Sequence, residues 1–231
     1  MFSRKDSVTG EFLRTLATPD YFLDVVRGTA RETRRDKQER YFFVYKETKG
    51  NRSAISPVRV GTGTDYYGTN KIITEDFLRA YEEDEQNFPN MHPIYFFHSH
   101  HASTAPSLPD LKGSQHSDMI HGIGIHTNDG IYLFQYLCIS NITDAQIEDV
   151  FNSYSKKAEE RVSERAQKSS RQKQAWKAAR NVLNDPKWGR IAAARLRESG
   201  YFRAYLFPLL PEGFSEEDLQ RIEEFAHSLS I

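Results

Sequence analysis

Hydrophobic and polar positions divide this chain into short aromatic runs and longer amphipathic stretches. Tyr41-Phe42-Phe43-Val44-Tyr45 and Ile94-Tyr95-Phe96-Phe97 are brief, apolar and β-branched or aromatic, as buried strands are. Lys49-Gly50-Asn51 reads as a turn that pairs the first run with a second strand over Ser53–Val60. Gly122–Thr127 and Ile131–Ile139 flank Asn128-Asp129-Gly130, the residues a tight hairpin requires. Helical spacing appears at Tyr21, Phe22, Val25 and Val26, after the cap-like Thr18-Pro19-Asp20, and predicts a first helix to about Lys37. A second helix follows Thr74, with Phe77, Leu78 and Tyr81 on one face, and Pro89 and Pro93 close the approach to the next strand. After residue 140 the character changes. Ile147, Phe151, Tyr154, Ala158 and Val162 recur at helical spacing, the stripe disappears from Gln167 to Gln174, and Phe214-Ser215 opens a final helix ending the chain. The pattern predicts an α/β (α+β) domain over residues 1–140, a mixed sheet sandwiched by helices. Residues 141–231 are read as a helical C-terminal extension.

The chemistry concentrates just after the second aromatic run. His98 and His100 on one strand point the same way, roughly 6 to 7 Å apart along the backbone. Two imidazoles at that spacing can converge on one Zn2+. Ala102–Pro106 reads as a loop and Ser107-Leu108-Pro109-Asp110 as a helix start, from which Asp110 can supply a third ligand. Three protein ligands leave a fourth position to water, the open geometry of a catalytic zinc. The plainer readings stand beside this one. Ser107 and Asp110 also form an ordinary near capping box, and a His-x-His pair can sit in a core or on a surface without a metal. His101 faces away from the other two histidines if the strand persists. His116, His121 and His126, five apart, do not stack on a helix face and are read as bystanders.

His-x-His, a short loop and Ser-x-x-Asp, with a glutamate far upstream, resemble the signature of the JAMM (MPN+, JAB1-type) metalloproteases. That family cleaves peptide or isopeptide bonds, many of them beside the C-terminus of a ubiquitin-like modifier. The family's usual proline after the second histidine is His101 here, and the loop from His101 to Pro106 is one residue shorter than usual, so the likeness is to a divergent, bacterial-type member. The resemblance implies an MPN/JAB-like, cytidine-deaminase-like fold to about residue 140, with His98, His100 and Asp110 as metal ligands and Ser107 stabilising the oxyanion. It places the catalytic glutamate between a first helix and a first core strand, which is where Glu39 stands. A carboxylate is needed there to take a proton from the attacking water and return it to the leaving amine. Glu32 and Glu47 are rivals for that role, and Glu39 also reads as a surface residue at a strand entrance.

Composition removes several other classes. Lys and Arg number 31 against 32 Asp and Glu, so the whole chain has no strong pull to nucleic acid or membrane. No run of 18 apolar residues exists, and the N-terminus lacks a signal peptide's apolar segment, which together predict a cytoplasmic protein with no membrane partner. The single cysteine, Cys138, excludes an internal disulfide and the paired cysteines of a zinc deaminase. Gly61–Asn70 is glycine-punctuated but lacks a P-loop's Lys-Ser/Thr ending, and reads as a flexible loop near the substrate path or a plain connector. Between Lys156 and Arg203 fourteen Lys or Arg stand against five Asp or Glu, whereas from Ala204 onward one Arg stands against six acids. That basic stretch is a candidate surface for an acidic partner, or it lies against the chain's own acidic parts. The expectation is a zinc-dependent hydrolase acting on a protein substrate, such as a conjugate of a ubiquitin-like modifier, with residues after Asp144 serving capture rather than chemistry. A catalytically inactive MPN-type scaffold and a nucleic-acid-binding protein are the alternatives.

Overall fold

The computed structural model of the chain describes residues 20–49, 53–64, 70–100, 105–116, 120, 122–127, 130–137, 142–167 and 186–208. Predictions for Thr18, His101, His121, Asn128-Asp129, Cys138, the stretch after Gln167 to Gln174 and the helix from Phe214 lie outside these residues. The helices are α1 (Asp20–Asp36), α2 (Thr74–Asn87), α3 (Leu108–His116), α4 (Asp144–Gln167) and α5 (Pro186–Glu198). The strands are β1 (Arg40–Glu47), β2 (Ser53–Ile55), β3 (Arg59–Val60), β4 (Gly63–Thr64), β5 (Asn70–Lys71), β6 (Met91–Ser99), β7 (Gly122–Thr127), β8 (Gly130–Tyr136) and β9 (Phe202–Pro208). They form a seven-stranded sheet in the order β2-β1-β6-β7-β8-β9, with β3 also on β1, and a separate two-stranded β4-β5 sheet. β6 runs antiparallel to β1 and parallel to β7, so the sheet is mixed. No helix among the described residues is long and apolar enough to cross a membrane.

The described residues divide into two compact units, one drawn from those up to 101, 118–131 and beyond 206, the other from 102–117 and 132–206. In the first unit β1 and β6 are buried on both faces, which is why their sequences read as continuous apolar runs rather than alternating ones. Alternation along the strands sorts their rings. On one face Phe42 stacks on Phe97 at 5.3 Å, and Phe22 of α1 meets Phe97 edge-on at 5.6 Å. On the other, Phe77 of α2 packs against Phe43 at 5.0 Å and Phe96 at 5.3 Å, while Tyr45 stacks on Phe88 at 4.9 Å. Each fully buried ring contributes about 1.5–3 kcal/mol of transfer free energy.

Two expectations about this unit change. The strand read over Ser53–Val60 is broken into β2 and β3, because Pro57 has no N–H for a ladder. Register slips by one at the break: Val44 pairs with Ile55, but Tyr41 with Arg59. Ser56 fills the gap, its hydroxyl accepting from Phe43 N–H at 2.8 Å. On α2, Leu78 is exposed, and the inward face is made by Asp76, Phe77, Ala80 and Asp84. Asp84 is satisfied by Arg59 at 2.7 Å and by the Tyr45 hydroxyl at 3.2 Å. Asp76 accepts from the Thr62 N–H and hydroxyl, the Ile73 N–H and the Arg79 guanidinium, all within 3.1 Å. It therefore closes the start of α2 onto the glycine-punctuated segment, part of which is the β4-β5 hairpin.

In the second unit α4 and α5 pack together, and α3 packs on α4. β9, a strand not expected after residue 139, neighbours β8, with Phe202 and Ala204 buried and Leu137 N–H donating to Tyr201 O at 2.8 Å. α3 is described to His116, and residues 117–119, through which helical spacing would carry it on toward His121, lie outside the described residues.

Candidate metal centre

β6 carries His98 on its last turn of pleat and His100 just beyond its end. His98 is 3% exposed and stacks on Phe96, two residues earlier on the same face, at 5.5 Å. Tyr41 lies opposite it on β1. The two imidazoles converge, with Nε2 to Nε2 at 3.0 Å. Two nitrogens bound tetrahedrally to one ion at 2.0–2.1 Å are separated by about 3.3 Å, so the rings already stand close to a shared-ligand geometry.

Asp110 enters from the first turn of α3. Its Oδ2 accepts from the Ser107 N–H at 2.7 Å and the Ser107 hydroxyl at 2.6 Å, and the Asp110 N–H points back to Ser107 Oγ at 3.4 Å. This reciprocal cap fixes the carboxylate's orientation. Leu111, fully buried, anchors the turn, and Lys112 ties α3 to Asp144 and Glu148 of α4. Tyr154, which the sequence shows only as part of an apolar stripe, donates its buried hydroxyl to the Pro106 carbonyl at 2.8 Å, directly before the cap. Burial raises the Tyr154 phenol far above its ordinary range, with Asp110 and Tyr132 adding to the shift.

One ligand-capable atom from each of His98, His100 and Asp110 lies within 4.8 Å of the others, the one such group of three among the described residues. Two imidazole nitrogens and one carboxylate oxygen suit a borderline divalent ion, zinc among them, and leave room for a further ligand.

Glu39 stands immediately before β1. Its carbonyl accepts from Gly61 N–H at 3.0 Å, continuing the β1-β3 ladder, and its Oε2 accepts from Ile72 N–H at 3.2 Å. Because Tyr41 pairs with His98, alternation puts Glu39 on the histidine face of the sheet. Glu47 pairs with Met91 at the far end of β1, and Glu32 is ion-paired to Arg35 on α1. His126 lies in β7, the strand read over Gly122–Thr127, fully buried, with its ring against Phe42 at 5.5 Å. Burial, with His98 and His100 nearby, pushes its pKa well below the ordinary histidine value.

The residues around Glu39 that sequence reasoning missed are backbone donors and carboxylates on core-facing positions. Ile72 acts through its N–H, which no side-chain pattern reveals, and Asp76 sits inside an acidic run that reads as solvated. No protein-family model matches the chain, and no curated protein matches it.

Proposed function

We propose that the chain is a zinc-dependent peptidase or isopeptidase of the kind its His-x-His…Ser-x-x-Asp pattern resembles. The observation that carries this is the gathering of His98, His100 and Asp110 within 4.8 Å. Supporting it is Glu39 at a strand entrance on the same face as the two histidines.

In this reading His98 and His100 bind through neutral ring nitrogens and Asp110 through its carboxylate. Bound zinc would supply Lewis-acid polarisation of the scissile carbonyl and acidify a water toward neutral pH. Glu39 takes a proton from the attacking water and returns it to the leaving amine, so that a peptide or isopeptide bond plus water gives a carboxylate and a free amine. The Ile72 N–H on its Oε2 fixes the carboxylate's direction for that transfer. Ser107 stabilises the developing oxyanion. Its hydroxyl proton points at Asp110 Oδ2 in this structure, so that role requires the hydroxyl to rotate. One such donor is commonly worth about 3 to 4 kcal/mol in the transition state. A protein substrate, including a conjugate of a ubiquitin-like modifier, fits this chemistry, with the basic residues between Lys156 and Arg203 as a surface for an acidic partner.

The test combines metal analysis with turnover. Purified full chain should carry close to one zinc and cleave members of a library of fluorescence-quenched peptides that includes lysine-branched isopeptides, and chelation should abolish cleavage. Zinc bound with no cleavage of any peptide would leave a metal-binding scaffold as the better reading.

A further inference from the structure

Between the two histidines, Ser99 points to the opposite face, and its environment is not that of a spacer. It is fully buried. Its Oγ lies 2.6 Å from the Thr33 hydroxyl of α1, accepts from the Arg40 N–H at 3.0 Å, and lies 3.3 Å from the Arg40 carbonyl. The β1-β6 register continues to Tyr41 and His98. At the next step, where the strands part, a side-chain hydroxyl takes the Arg40 amide. The Arg40 side chain is gripped as well: its guanidinium forms a bidentate pair with Asp36 at 2.6 and 2.9 Å, which holds the Asp36 carboxyl down at about 2.

We infer that Ser99, seated on Thr33, is a positioning residue that fixes the entrance of β1, and with it Glu39, at the level of His98 and His100. This inference rests on the proposed hydrolase reading. The chain of contacts is short: Ser99 holds Arg40, Glu39 is the preceding residue, and Ser99 is flanked on both sides by the histidines. One residue thus sets the general base and the metal ligands in a common frame. Without the hydroxyl, a part-buried N–H loses its acceptor and the Arg40 backbone loses its tie to β6, leaving this entrance to the Gly61 bond on the β3 side and to side-chain contacts with Asp36 and Ile72. Displacement of a catalytic group by about 1 Å can lower turnover by about 100-fold while leaving binding intact.

The experiment compares zinc-loaded full-length wild type with Ser99→Ala and with the double variant Thr33→Ser/Ser99→Thr, which moves one methyl across the bond and keeps both hydroxyls. Three quantities are read: zinc stoichiometry, amide hydrogen exchange at Arg40, and kcat and KM on a cleaved quenched peptide. Ser99→Ala should keep its zinc, speed Arg40 exchange by about tenfold or more with Phe43 still protected, and lower kcat by about tenfold or more with KM within about twofold. The double variant should return both exchange and kcat towards wild type. Unchanged Arg40 exchange in Ser99→Ala, or full kcat despite faster exchange, overturns the inference. So does loss of zinc in parallel with kcat, which would make Ser99 a prop for the ligands alone. If Ser99→Ala does not fold, Thr33→Val supplies the same readings in the same direction. If wild type binds zinc yet cleaves nothing, the hydrolase reading fails, and Arg40 exchange still decides whether Ser99 holds the β1 entrance.

Discussion

Tyr41 lies directly opposite His98 across the β1-β6 ladder. That pairing distinguishes Glu39 from Glu47. Glu39, two residues before Tyr41, shares its face, whereas Glu47 is roughly 26 Å further along an extended strand. Glu39→Gln should retain zinc and lose turnover by about 100-fold or more, as for removal of a general base. Glu47→Gln and Glu32→Gln should turn over normally. A fully active Glu39→Gln protein would remove the proposed base.

Zinc affinity should collapse in His98→Ala and His100→Ala, since each removes one of the three proposed ligands. Asp110→Ala should also cost about 1 kcal/mol of stability, because it opens the cap with Ser107. Metal content after dialysis checks the first effect and urea unfolding of metal-free protein the second. Stoichiometric zinc in His98→Ala would refute the ligand assignment.

His126 should make the protein acid-sensitive. Neither ring nitrogen has a hydrogen-bond partner among the described residues, and burial keeps the folded-state pKa well below the ordinary 6.5. Below that value the unfolded chain binds a proton that the folded chain refuses, so stability is full above it and is lost as pH falls. The slope for one proton is about 1.4 kcal/mol per pH unit. His126→Leu should gain on wild type as pH drops from about 7.5 to about 5.5, by urea titration. An equal acid slope in both proteins would show that His126 is protonated in the fold.

Gly189 permits the close approach of α5 to β8: a Cβ there would meet the Tyr132 hydroxyl at 2.1 Å and its ring at 2.6 Å. Gly189→Ala improves helix propensity by about 1 kcal/mol, yet the overlap with a buried ring should outweigh it and lower stability by about 1–3 kcal/mol. A rise in Tm would show that the ring moves aside freely.

Removal of the chain beyond Asn141 should damage the fold as well as any capture surface. It takes away β9 with buried Phe202, the Gly189 contact on Tyr132, and the Tyr154 hydroxyl that holds Pro106. The expected product is poorly soluble or melts far below the full chain. A well-folded truncation with normal zinc uptake would show that these residues serve partners alone.

What was legible in the sequence followed from periodicity and spacing. Aromatic runs gave β1 and β6, and two histidines on one strand face gave the convergent pair, because strand geometry leaves few other arrangements. Polar groups doing inward work were not legible. Asp76 and Asp84 face the core of their unit from a helix that reads as acidic, and Ser56 repairs a ladder that Pro57 breaks. β9 is not legible because Phe202-Arg-Ala-Tyr-Leu-Phe-Pro208 is short and follows directly on a strongly basic stretch of helix formers. Tyr154 looked like one more apolar position, since its hydroxyl's partner is a carbonyl 48 residues away.

The grip of Asp76 on Thr62 and Ile73 has an evolutionary corollary. Both ends of the β4-β5 hairpin are fastened, one by Asp76 and the other by Asp76 together with the Ile72 bond to Glu39. Insertions or deletions between Thr64 and Asn70 are thereby insulated from Glu39. Length can drift in that interval across a lineage while the surroundings of Glu39 stay constant, so homologues should tolerate unequal lengths there and keep an acidic residue at the position of Asp76.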